Sequence, residues 1–129
     1  MLWAALSAFM MSITGKGDDT FTFRKAVEHV RKAVAHEVHD AGRRQEALAT
    51  LDRVQAVFAE HRARTAKISV CLEKADRSYT AAPADYQRCL VDARRAWDRA
   101  AADFVVLDHA FRTALTPAEY AAVRRNAQH

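Results

Sequence analysis

The chain has 129 residues and 14.5 kDa, half of them hydrophobic and 28% charged, which is enough for one folded domain and too little for two conventional ones. Three Gly and two Pro against 28 Ala argue against sandwiches, barrels and open α/β sheets, all of which need more turns. The net charge of +4, with a pI near 9.4, is modest and dispersed along the chain.

Leu2 to Ile13 is uncharged and mostly apolar. As a helix it covers about 18 Å, short of the ~30 Å hydrocarbon core of a bilayer. At about 100° per residue, Leu2, Trp3, Leu6, Phe9, Met10 and Ile13 fall in one arc of roughly 120°. Residues 1–13 are therefore expected to form an apolar N-terminal helix. It is an anchor, a signal-like segment or a helix that docks through Leu2, Trp3, Leu6 and Phe9. No Lys or Arg precedes it, and no small-x-small cleavage site is evident. Residues 14–20 hold two of the three glycines and read as a linker, with a helical bundle domain over 21–129.

Phe23, Val27, Val30, Val34 and Val38 mark one face of a helix over about 21–39, with Lys25, His29, Lys32 and His36 opposite. Asp40-Ala41-Gly42 is a short connector, and Gly42 suits the left-handed residue that ends helices. So short a joint sends the next helix back antiparallel.

Two long helices are expected over about 43–79 and 83–114. The first carries a 4-3-4-3 seam through Ala47, Leu51, Val54, Phe58, His61, Thr65, Ile68, Leu72, Ala75 and Tyr79. The second carries one through Tyr86, Leu90, Ala93, Trp97, Ala100, Phe104, Leu107, Phe111 and Ala114. Sustained heptad seams are the mark of helices packed at a shallow angle, as in a coiled coil. Folded about Thr80-Ala81-Ala82-Pro83, the seams pair in layers from Ala75/Tyr86 through Leu72/Leu90 and His61/Ala100 to Ala47/Ala114. Pro83 fits the first turn of the second helix, where its missing N–H costs nothing. At the end of the chain, Thr116, Pro117 and Glu119 read as the N-cap, first residue and N3 partner of a capping box. Leu115 and Tyr120 are placed for a hydrophobic staple over a short terminal helix.

These elements give an all-α fold: a long antiparallel helical hairpin with the shorter helix and the two terminal helices bundled at one end. The shorter helix reaches only the arm portions near 47–62 and 97–114, so the tip, about 65–97, is left as two helices. Two helices alone bury little, and such a tip needs a staple or a partner. Val70 and Val91 lie off the seam there and are the expected partner-binding residues.

Cys71 and Cys89, the only cysteines, stand opposite each other beside the Leu72/Leu90 layer. A disulfide needs Cα atoms within about 7 Å, a reach that flanking positions in a tight antiparallel pair can meet, and two buried thiols are the alternative. A disulfide favours an oxidising compartment, in keeping with an exported or envelope-bound chain, whereas reduced thiols would fit the cytoplasm. His36-Glu37-Val38-His39-Asp40 lacks the four-residue His spacing of the zincin motif. His29, His36, His39 and Asp40 remain candidate metal ligands, against the simpler reading of a solvated polar face. His61 within the seam reads as a polar residue that fixes register, or alternatively as a ligand or pH-sensing group.

Nothing in the sequence assembles a nucleophile, a base and an oxyanion donor, and no Gly-rich phosphate loop or other cofactor motif is present. Arg outnumbers Lys 15 to 5, but Asp92, Asp98, Asp103 and Asp108 interleave with the arginines, which argues for helix-face ion pairing over nucleic-acid binding. Leu115-Thr116-Pro117-Ala118-Glu119 resembles the Leu-Thr-x-x-Gln motif of the periplasmic metal-sensor and stress-chaperone group. Glu119 stands at the Gln position, and a capping box accounts for the same five residues. The expected function is a non-enzymatic interaction or scaffold module, membrane-associated or exported, that binds a protein partner or a second copy. A metal-binding envelope protein is the alternative, and a basic nucleic-acid adaptor comes third.

Overall fold

The computed structural model describes residues 19–127, and the expected N-terminal helix with its Leu2, Trp3, Leu6 and Phe9 stripe lies outside them. Four helices follow one another: α1 (Asp19–Glu37), α2 (Ala41–Arg77), α3 (Pro83–Ala114) and α4 (Pro117–Ala127). No strand occurs among the described residues. The all-α fold with its long antiparallel hairpin is the one expected. Asp19 and Thr20, read as the end of the linker, already belong to α1.

The helix ends are set by side chains as much as by periodicity. Between α1 and α2, Asp40 caps the new helix: its Oδ2 accepts the Arg43 N–H at 2.9 Å, and its carbonyl accepts the Arg44 N–H at 2.9 Å. Gly42 is consequently not a left-handed terminator but lies within the first turn of α2. An Asp at the cap satisfies an N–H that would otherwise be orphaned, so the reversal over 38–40 needs no glycine. The long helix α2 stops at Arg77, two residues short of Tyr79, because the chain turns over 78–82. Pro83 opens α3 as expected, and Asp85 reaches back to the Ala82 N–H at 2.9 Å. At α4 the capping box is complete: Glu119 Oε1 accepts the Thr116 N–H at 2.9 Å, and Thr116 Oγ1 accepts the Glu119 N–H at 3.2 Å.

The described chain divides into two units. The first comprises residues 19–56 and 104–127, and holds α1, the start of α2, the end of α3 and α4. Its apolar residues are the ones the periodicity selects. Phe23, Val27, Val30, Val34 and Val38 of the α1 face are buried, as are Ala47, Leu51 and Val54 of α2, and Phe104, Leu107, Phe111 and Ala114 of α3. Val123 is the buried residue of α4, which packs along α1. Full burial of each such aliphatic or aromatic side chain contributes about 1.5–3 kcal/mol. Polar contacts fix the helices around this core. Arg31 on α1 grips Asp52 and, at 2.9 Å, Gln55 on α2. Arg43 at the start of α2 forms a two-pronged contact with Glu119, at 2.9 and 3.3 Å. Asn126 donates to Glu37 at 3.3 Å. Thr50, which the apolar pattern passes over, is fully buried, and its hydroxyl donates to the Glu46 carbonyl at 3.0 Å.

The second unit, Val57–Asp103, contains two helical segments, the end of α2 and the start of α3, with the turn between them. It begins about two turns earlier on α2 than the expected tip at residue 65.

Candidate functional site

Within the second unit, Cys71 and Cys89 form the expected disulfide, with Cα atoms 5.8 Å apart. That approach requires small side chains between the helices, and it decides the register on α3. Cys89 is 1% exposed and Leu90 is 56% exposed, the reverse of the expected Leu72/Leu90 layer. Cys89, Ala93, Ala96 and Ala100 carry the seam here, half-buried to buried, and Leu90, about 100° further round the helix, turns outward. The Ala75/Tyr86 layer stands as expected, and the Tyr86 hydroxyl donates to the Ala75 carbonyl at 3.2 Å. Tyr79 lies in the turn, fully exposed, and leaves the seam it was assigned to.

Nearer the first unit, His61 is 2% exposed, with Nε2 3.6 Å from Asp103 Oδ2. Burial lowers its pKa below the ordinary value, the Arg64 charge lowers it further, and Asp103 opposes both. Thr65 Oγ1 donates to the His61 carbonyl at 2.9 Å.

Val70 and Val91 are 51% and 49% exposed, as expected for positions off the seam. Helical periodicity puts each on the outer face of its own helix, roughly opposite the seam, so they do not join into one patch on a single copy. Val105 and Val106 of the first unit, between the seam positions Phe104 and Leu107, are also exposed.

A groove of about 310 Å³ runs along the hairpin beside the disulfide. Its α2 wall is Arg64, Lys67, Ile68 and Cys71, and its α3 wall is Cys89, Asp92, Arg95, Ala96 and Arg99. The α3 arginines alternate with Asp92 and Asp98, which reads as helix-face ion pairing, and Arg64 and Lys67 lie off the heptad seam, so none of the four cations stands out in the sequence. The signal available was the i, i+3, i+4, i+7 spacing of Arg64, Lys67, Ile68 and Cys71.

The four metal candidates are not brought together with further ligands. His29, His36, His39 and Asp40 are exposed. His36 Nδ1 lies 3.2 Å from Glu37 Oε1, and Asp40 is engaged as the α2 cap. Among the described residues no three His, Cys, Asp or Glu side chains are grouped to hold an ion. No helix of the described chain is long and apolar enough to cross a membrane. No family model matches the chain, and no curated protein or solved structure matches it either.

Proposed function

We propose that the protein is a non-enzymatic helical interaction module, exported or held at the cell envelope, that engages a protein partner or a second copy through its stapled hairpin. The observation that carries this reading is the second unit itself. Two helical segments joined by the Cys71–Cys89 bond leave Val70, Leu90 and Val91 about half exposed. A two-helix unit has little core of its own, and a covalent staple holds its surface in one shape before any partner arrives. The disulfide also supports an oxidising compartment, where such bonds persist.

Site-specific photo-crosslinking in the native cells tests the reading. A crosslinker placed at Val70, Leu90 or Asp92 on the hairpin is expected to give discrete adducts or cross-linked dimers. One placed at Arg24 or Arg124 of the first unit is expected to give none. Adducts confined to the first unit, or absent from all hairpin positions, overturn it.

A further inference from the structure

We infer that the groove beside the disulfide receives an acidic amphipathic helix of a partner protein. The inference rests on the reading of the hairpin as an interaction module and adds the place and chemistry of the contact. Arg64, Lys67, Ile68 and Cys71 recur along α2 at the spacing of a single helix face. Cys89, Asp92, Ala96 and Arg99 do the same along α3. Two such stripes on antiparallel helices form the walls of a trough in which a third helix lays its ridges. From Arg64 to Cys71 the trough follows α2 for about 10 Å, two helical turns, which suits the i, i+3, i+4, i+7 anchors of a helix bound in a groove.

The lining fixes the sign of the partner. Ile68, Ala96 and the disulfide give an apolar floor, and the long stems of the arginines and the lysine extend it. At the rim stand four cations, Arg64, Lys67, Arg95 and Arg99, against one carboxylate, Asp92. Glu60 pairs with Arg64 and lies 3.9 Å from Arg99, whereas Lys67 and Arg95 are in no ion pair among the described residues. An apolar stripe flanked by Glu or Asp is the complement of such a surface.

The probe is an 18-residue synthetic peptide with Leu at helix positions i, i+3, i+4 and i+7 and Glu flanking them, compared with the same peptide carrying Lys for Glu. Titrated into the full disulfide-bonded chain and followed by fluorescence anisotropy, the Glu peptide is expected to bind, more weakly as salt rises, and the Lys peptide not to bind. Lys67→Glu with Arg95→Glu, at two exposed positions, is expected to weaken binding at least tenfold. Lys67→Gln with Arg95→Gln is expected to fall between, and supplies the test should the charge reversal disturb folding. Equal binding of the two peptides, no binding of either, or unchanged affinity in both variants overturns the proposal. So does full displacement of the peptide by inorganic phosphate or by phosphatidylglycerol vesicles, which would make the groove a general anion site. If the peptide fails while crosslinks still form from Val70 or Leu90 but not from Asp92, the groove assignment falls and the interaction module stands.

Discussion

A histidine with its ring buried between two helices ties stability to pH. The His61 pKa lies below the ordinary 6.5, chiefly through burial and then through the Arg64 charge. As pH falls, the unfolded chain takes up the proton before the folded one does. The folded state is therefore fully favoured above about pH 6.5 and loses stability as pH drops from there through the lowered folded value. The expected observation is a melting temperature that declines between pH 7.5 and 5. His61→Leu should flatten that decline and be neutral or stabilising at low pH, because it removes a buried ionisable group. A steep decline that persists unchanged in the variant would assign the effect elsewhere. Glu119 behaves as a lowered acid, held down first by the Thr116 N–H and then by Arg43. Its contribution is present above the ordinary 4.5 and disappears as pH falls through its folded value. Thr116→Ala, which removes half of the capping box, should cost about 1 kcal/mol in chemical denaturation.

At the scale of helices, the staple and the seam carry separate expectations. The disulfide closes a loop with a sequence separation of 18. In the chain-entropy model that contributes roughly 3 kcal/mol. A mild reductant should therefore lower the melting temperature by several degrees, and Cys71→Ser with Cys89→Ser should reproduce the shift. Equal melting with and without reductant would mean that the hairpin holds without its bond. Phe58 is buried at the start of the second unit, and Phe58→Ala should cost about 3–5 kcal/mol by the cavity it leaves. Leu90→Ala should cost far less than a core leucine, under about 1 kcal/mol, since the register turns that side chain outward. A loss above about 2 kcal/mol would restore the Leu72/Leu90 layer.

Across the whole molecule, each unit carries a different means of holding itself together. The first buries apolar residues from four helical segments and adds Arg31–Asp52 and Arg43–Glu119 across them. The second relies on Phe58 at its start, a narrow seam of small residues, His61 and a covalent bond. Reduction is therefore expected to act locally. Amide exchange should accelerate over residues 65–97 while α1 and the buried face of α2 over 47–54 keep their protection. Uniform acceleration along the chain would show instead that the staple supports both units.

Periodicity alone determined most of the helical plan. Alternating spacings of three and four place Val27, Leu51 and Phe111 inside wherever the helices sit, because only one face of a helix can avoid water. Thr116, Pro117 and Glu119 likewise define their helix start locally, through hydrogen bonds that span three residues. The Cys71–Cys89 pairing was also legible, since antiparallel folding about Pro83 sets them opposite each other. What tertiary structure decided was finer than the period. Leu90 and Cys89 both lie near the seam by spacing, and only the 5.8 Å approach at the disulfide admits the small side chain and turns the large one out. Gly42 lost its expected role to Asp40 for a similar reason, since a carboxylate within reach of a free N–H outweighs a conformational preference. The groove of Arg64, Lys67, Arg95 and Arg99 draws on two helices distant in sequence, so no stretch of the chain displays it whole. A helix face is written in the residues of that helix, whereas a surface shared by two helices exists only once their distance and rotation are fixed.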